Sequence, residues 1–241
     1  MRVYVNEKKV RFRSRVGTIA SLVGMGVLLG GMIITLRIRP DRPDYPFWLS
    51  LALAALVVGF FAAQIGNYNI RYFARRPIRM DQALDQALKG FDDRYEVYHW
   101  LLPADHVLLG PAGLYVVVLR DSRYPVHAVG ARWRQPFTLR RVFTIFAQEG
   151  LGDPVGEALA EVKRLREWLQ KIDPDLDVEV KPLVFFVEPV PITREDPAVP
   201  PLLPKELKKY LRKQAKEDRL PDPVRQRLSQ IFHQVVEKAQ A

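Results

Sequence analysis

Two long stretches without charge constrain this chain more than any other feature. Residues 17–36 and residues 47–66 contain no Asp, Glu, Lys or Arg, and each stretch is 20 residues long. A helix rises 1.5 Å per residue, so a helix of this length spans the hydrocarbon core of a bilayer, which is about 30 Å thick. The sequence therefore predicts two transmembrane helices joined by an external loop at 37–46, and argues against a soluble enzyme.

The formal charge of +10 lies beside these stretches. Residues 1–16 contribute +5, the loop at 37–46 contributes +1 and the juxtamembrane segment 67–79 contributes +4. Because Lys and Arg near span ends mark the cytoplasmic side, we expect a multi-pass protein of the inner (plasma) membrane with both termini in the cytoplasm. Residues 80–241 carry 24 basic and 24 acidic side chains, and this balance disfavours nucleic acid as the partner.

The first apolar stretch has an alternative interpretation as a cleavable signal peptide, because the basic segment 1–16 precedes it. The stretch is long, it reaches Arg37 without a small-x-small cleavage site, and a second apolar stretch follows. These three features favour a retained span.

Small residues recur at four-residue spacing in both predicted spans. Gly26 and Gly30 form such a row in the first span, and Ala55, Gly59 and Ala63 form one in the second. Rows of this kind let helix backbones approach closely in lipid. We expect the two helices to pack on each other there; a homodimer or another membrane protein is the alternative partner, in addition to the bilayer.

The chain has no cysteine and four histidines, which are His99, His106, His127 and His233. Disulfides and thiolate metal sites are therefore excluded, and the histidine spacings do not match a zinc cluster. From composition alone we expect no cofactor.

The pattern after residue 79 predicts an α/β domain with a mixed sheet, because helical and extended segments alternate. A proline-rich connector at 189–204 and C-terminal helices within 205–241 follow this domain. The predicted elements are a helix at 80–91, strands at 95–102, 105–109 and 113–119, strands at 126–133 and 137–146, a helix at 154–171 with Asp153 as N-cap, a buried strand at 178–187, and helices at 205–216 and 223–238. The turn at 110–113 predicts that the strands at 105–109 and 113–119 form a hairpin, and the strands at 126–133 and 137–146 are expected to continue the antiparallel part of the sheet.

Residues 80–188 resemble the nuclease-related domain (NERD) family, which has the restriction-endonuclease-like fold. The most specific matching segment is DHVLLGPAGLYVVV, which begins at Asp105. The other matches, in order, are MDQALDQALKGF, YEVYHWLL, Trp133, the helix opened by Asp153-Pro154, and VKPLVFFV. The resemblance implies a mixed sheet with flanking helices behind the transmembrane hairpin.

The resemblance also implies a metal site, and this chain departs from it. In active members an Asp and the Glu of a Glu-x-Lys motif hold a divalent cation that activates water. Asp105 matches that Asp, but Val118-Leu119-Arg120 stands in place of Glu-x-Lys. Val118 cannot bind Mg²⁺ or Mn²⁺, and Arg120 keeps a positive charge without readily releasing a proton.

Two further positions differ from the family pattern. Asp81 stands where the first helix often has Glu, and Glu157 ends a segment that replaces Asn-Pro-x-x-Gln. Glu149 and Glu157 are candidates to replace the missing carboxylate, whereas Asp121 faces away from Arg120 on a regular strand unless a bulge turns it. These departures leave Asp105, Arg120, Asp81 and Glu157 as candidate site residues, with Asp105 also the candidate metal ligand, and they leave the family's catalytic set incomplete.

Several of these residues have plain structural interpretations. Asp105 could bond only to a turn, and His106 points away from Asp105 on a strand and is expected to pack in the core. A basic run on the helix at 205–216 has three interpretations: a surface that binds anionic lipid, a surface that binds nucleic acid, or a solvated helix face. Its members are Lys205, Lys208, Lys209, Arg212, Lys213 and Lys216.

Three functions remain open at this point. The favoured one is a catalytically degenerate module, or pseudoenzyme, that binds or scaffolds partners at the membrane. The second is a membrane-tethered nuclease that uses Asp105 with Mg²⁺ or Mn²⁺, and the third is a small structural subunit of a membrane complex.

Overall fold

The computed structural model describes residues 1–74, 78–122, 124–136 and 151–240, the last without its side chain. Arg75 and Arg76 of the basic juxtamembrane segment, the predicted strand at 137–146 and Glu149 lie outside the described residues. The chain forms two compact units, one of residues Glu7–Arg79 and the other of residues Met1–Asn6 with Met80–Ala241.

The first unit is a hairpin of two apolar helices, α1 (Glu7–Arg37) and α2 (Tyr45–Phe73). By length and composition both helices could cross a membrane, with mean hydropathies of 2.2 and 2.1. Each helix extends beyond its uncharged stretch. The ends of α1 suit the helix dipole, because Glu7 lies in its first turn and Arg37 in its last.

The contact between α1 and α2 repeats every seven residues, a spacing that keeps side chains on one face of a helix. The buried residues at this spacing are Val10, Gly17, Gly24 and Gly31 on α1, and Ala52, Gly59, Gly66 and Phe73 on α2. A Cβ added at Gly24 would lie 2.6 Å from the backbone nitrogen of Ala63, and one at Gly59 would lie 3.0 Å from the carbonyl oxygen of Gly24. Only glycine permits backbones this close.

The structure corrects the row of small residues that was expected on α1. Gly26 and Gly30 meet no atom within 4 Å of an added Cβ, so they are not part of the contact with α2. Gly26 lies about 200° round the helix from Gly24, because each residue turns an α-helix by about 100°. On α2 the expected residues do lie in the contact, since Ala55, Gly59 and Ala63 all approach α1.

The second unit is an α/β structure with helices packed on a mixed sheet, as the alternation of patterns predicts. The segment 1–16, predicted only as a basic N-terminus, begins with a strand of this sheet, and the predicted connector at 189–204 contains two short strands. In chain order the elements are β1 (Arg2–Val5), α3 (Met80–Leu88), β2 (Glu96–His99), β3 (His106–Gly110), β4 (Gly113–Arg120), β5 (Val126–Val129), β6 (Arg132–Arg134), α4 (Pro154–Ile172), β7 (Val180–Phe186), β8 (Ile192–Glu195), β9 (Pro201–Leu202), α5 (Pro204–Glu217) and α6 (Asp222–Gln240).

The main sheet has six strands among the described residues, in the order β1-β2-β3-β4-β7-β9. Strands β2, β3 and β4 are antiparallel neighbours, whereas β1 is parallel to β2 and both β7 and β9 continue parallel to β4. Strand β4 is buried along its whole length, which suits its run of apolar and β-branched residues. The predicted hairpin between β3 and β4 is confirmed, and Gly113 takes a φ of +126° at the turn.

Helices cover both faces of this sheet. On one face Val162 and Leu165 of α4 and Phe232 of α6 pack with Val107 and Val116. On the other face α3 and α5 cover the strands. Strands β5, β6 and β8 form a separate sheet, so the segment at 126–133 does not extend the antiparallel part of the main sheet as expected.

Candidate functional site

Three of the positions singled out by the resemblance, Asp105, Val118 and Arg120, share one face of the main sheet. Val107 pairs with Val116 across β3 and β4, and continuing this register by two residues places Asp105 opposite Val118. Side chains alternate along a strand, so Val118 and Arg120 point to the same face as Val116. This is the face that α4 covers.

Helix α4 brings a second carboxylate to Asp105. Glu161 is 3% exposed, and it accepts a hydrogen bond of 3.2 Å from the backbone N–H of Asp105. The Arg164 guanidinium lies 3.4 Å from the other oxygen of Glu161. Burial, and then the negative charge of Asp105, raise the pKa of Glu161 to about 7.

Sequence reasoning missed Glu161. The available signal was its place on the buried stripe of α4, which also contains Ala158, Val162 and Leu165. A glutamate on such a stripe needs a polar neighbour, because burying an uncompensated charge costs roughly several kcal/mol.

Val118 places hydrocarbon where the resemblance implies a glutamate. Its side chain is 2% exposed and packs with Val155 and Ala158 of α4 and Val184 of β7. The site therefore has an apolar floor where the resemblance implies a metal ligand.

Arg120 is bound by protein acceptors on several sides. The residue is 4% exposed, and its guanidinium donates to the carbonyl oxygens of Leu151 (3.2 Å) and Leu119 (3.0 Å). It also forms an ion pair with both carboxylate oxygens of Glu157. Asp153 caps α4 by accepting the Gly156 N–H at 2.9 Å, and this cap fixes the first turn, where Glu157 lies.

The donor set does not fit the divalent cation that the resemblance implies. Within the described ranges no group of three or more His, Asp or Glu side chains is placed to hold a metal ion. Mg²⁺ and Mn²⁺ need several oxygen ligands, and Asp105 and Glu161 are the two carboxylates found together here. The Arg120 charge and the Val118 side chain add nothing that attracts a cation.

Asp81 lies elsewhere in the unit. It is fully buried on α3, the helix that covers the opposite face of the sheet from α4. The next turn of α3 carries Asp85, which pairs with His99.

That opposite face contains a buried chain of polar groups. The Nδ1 atoms of His99 and His106 lie 2.8 Å apart, and Nε2 of His99 lies 3.0 Å from a carboxylate oxygen of Asp85. The ring of Trp100, a residue with a φ of +56°, lies 5.0 Å from that of His106. The prediction that His106 packs inside the domain is confirmed, since it is 5% exposed.

Comparison of the chain with models of protein families, with curated proteins and with solved structures finds no match. Function is therefore inferred from the geometry of these residues.

Proposed function

We propose that this chain is a membrane-anchored, NERD-like module that has lost metal-dependent catalysis and acts as a binding or scaffolding domain at the cytoplasmic face of the inner (plasma) membrane. The observation that carries the proposal is the pairing of two changes at one site. Val118 replaces a ligand with hydrocarbon, and Arg120 is bound to Glu157 and to backbone carbonyls.

The chemistry of phosphodiester cleavage supports this proposal. A metal-dependent nuclease needs clustered carboxylates to hold the cation, and a mobile positive group to steady the phosphate. At this site the carboxylate of Glu157 already neutralises Arg120, and the remaining carboxylates, Asp105 and Glu161, repel each other. Both requirements are therefore weakened at once.

The chain order supports a common side for the two termini. Strand β1 precedes α1, yet it pairs with β2, which follows α2. One residue, Asn6, separates β1 from α1, and it donates its backbone N–H to the carbonyl oxygen of His99. A hairpin whose two ends return to one sheet must cross a bilayer an even number of times, and the basic flanks favour the cytoplasmic side.

A second candidate function is a tethered, Mg²⁺- or Mn²⁺-dependent nuclease. The contact between Asp105 and Glu161 favours it, because it brings a second carboxylate to the Asp position. The raised pKa of Glu161 is also the kind of perturbation that functional sites show.

Plasmid cleavage by the full chain in detergent micelles separates these functions. We expect the wild type with Mn²⁺ to cleave no faster than the Asp105→Ala and Glu161→Gln variants. Cleavage that is lost in both variants would reject the proposal in favour of the nuclease. The Gln170→Ala variant, changed at an exposed position of α4, is the control for preparation-dependent contamination.

A further inference from the structure

Helix α5 carries a row of exposed cations on one side and a buried apolar row on the other. Leu207 and Leu211 are fully buried and attach the helix to the unit. We call the exposed row the basic stripe; its members are Lys205, Lys209, Arg212, Lys213 and Lys216.

Much of the charge on the basic stripe has no carboxylate partner. Lys213 pairs with Glu217 at 3.7 Å, and Arg212 lies over the ring of Phe91 at 5.7 Å. Lys205, Lys209 and Lys216 form no ion pair with any residue in the described part of the chain. The acid of the first turn, Glu206, is taken by Arg194 at 2.6 Å.

The spacing of the stripe suits a flat array of negative groups. Residues 205, 209, 212 and 216 recur every three or four positions, so they lie along one side of the helix. The row is about 16 Å long, since a helix rises about 1.5 Å per residue. It lies on a convex helix surface, and such a surface can meet a plane of headgroups.

Lipid fits this stripe better than nucleic acid does. Proteins that bind single strands combine a basic groove with exposed aromatic platforms, and the exposed large hydrophobic residues described in the α/β unit include no aromatic side chain. The unit is also neutral as a whole over 80–241, so the positive charge is local to the stripe.

The chain itself supplies proximity to a bilayer. The α/β unit is joined to the apolar hairpin at two places, through Asn6 and through residues 74–79. Because these connections are short, the α/β unit stays at a high effective concentration relative to the bilayer surface. Each Lys or Arg near an anionic leaflet shifts the binding equilibrium toward the membrane by roughly fivefold.

We propose that the basic stripe of α5 docks on the anionic phospholipid headgroups of the bilayer that the chain spans. This inference relies on the membrane anchor of the proposed function and is independent of the site at Asp105. Three unpaired lysines then favour the docked state by roughly a hundredfold.

Lysine footprinting of the full chain in nanodiscs tests the inference. An amine-acetylating reagent is applied in phosphatidylcholine nanodiscs and in nanodiscs with about 30% phosphatidylglycerol, and mass spectrometry gives the rate at each lysine. We expect acetylation of Lys205, Lys209, Lys213 and Lys216 to slow roughly tenfold or more with the anionic lipid, and to recover at about 1 M salt, which screens such contacts. Lys163 and Lys171, exposed on α4, should change by less than about twofold because their helix covers another face.

Two matched variants complete the experiment. Joint Lys205→Gln, Lys209→Gln and Lys216→Gln changes should abolish the lipid-dependent protection of the remaining reporter, Lys213. Joint Lys163→Gln, Arg166→Gln and Lys171→Gln changes on α4 remove the same charge and should leave it intact. Equal rates in both nanodiscs, or equal protection of the α4 lysines, would overturn the inference, as would protection by a DNA oligonucleotide alone. Failure of the chain to enter nanodiscs would instead contradict the membrane anchor.

Discussion

Polar groups lie against both faces of the main sheet, but the charges that meet there differ. One face brings a carboxylate to histidines, and the other brings two carboxylates together. On the α3 face, the carboxylate of Asp85 complements the buried histidine pair. On the α4 face, Glu161 is buried beside another carboxylate, Asp105, and its pKa is raised, although Arg164 lies 3.4 Å away and offsets part of the effect. The strands place a polar group, and the covering helix decides which charge that group meets.

The largest effect on stability is expected from placing a third carboxylate on the α4 face. Val118→Glu buries a charge beside Asp105 and Glu161, so the free energy of unfolding should fall by about 3–5 kcal/mol. Mn²⁺ should recover part of this loss, because three carboxylates could then share the cation. Denaturant unfolding of the full chain in micelles, followed by tryptophan fluorescence, measures both effects.

The matched control for that change is Val118→Gln, which introduces a neutral group of similar shape. It should destabilise the chain without responding to Mn²⁺. If Val118→Glu is as stable as the wild type in the absence of metal, or does not respond to Mn²⁺, the proposal that this position corresponds to the glutamate of a metal site is wrong.

Next in size is the pH dependence produced by Glu161. Its pKa is raised from 4.5 to about 7, so between these values the folded chain holds a proton that the unfolded chain has lost. Stability should therefore fall as the pH rises from about 4.5 to about 7. Glu161→Gln should remove this fall and stabilise the chain by about 2 kcal/mol at pH 8. A variant with an unchanged pH profile would contradict the raised pKa of Glu161.

A smaller loss is expected on the α3 face. Asp85→Asn removes the charge that complements His99, which is fully buried, and should cost about 1–2 kcal/mol. The control is Asp92→Asn, because Asp92 pairs with Arg94 at the surface and should cost less than about 1 kcal/mol. Equal costs for the two variants would show that the buried pair is not a structural unit.

The smallest change is expected from Glu157→Gln. The Glu157 side chain is 47% exposed, so water screens its pairing with Arg120, and the unfolding free energy should fall by at most about 1 kcal/mol. A loss as large as that of Val118→Glu would show that this ion pair, and not the apolar packing, determines the stability of the α4 face.

Local patterns predicted the elements that form from nearby residues. The apolar run GLYVVVL became β4, and Asp153 caps α4 as its position before Pro154 suggests. Strand β1 was missed because four residues give too short a pattern, and its partner β2 lies about ninety positions further along the chain. Its pairing is a tertiary contact that local periodicity does not contain.

The same limit explains the errors within the hairpin and the site. The first span contains two sets of glycines in different phases, and the spacing of Gly26 and Gly30 is as regular as that of Gly24 and Gly31. Only the packing against the glycines of α2 shows that Gly24 and Gly31 face the neighbouring helix. Likewise, Glu161 joins Asp105 because α4 crosses that face of the sheet, and no spacing along the chain expresses this.

Calorimetric titration of Mn²⁺ into the full chain in micelles tests the central claim, which is that the α4 face does not hold a catalytic metal. We predict no saturable heat for the wild type, and saturable binding for the Val118→Glu variant, which adds a third carboxylate. Saturable binding to the wild type that Asp105→Ala and Glu161→Gln both abolish would contradict the claim, and would identify these two carboxylates as a working metal site.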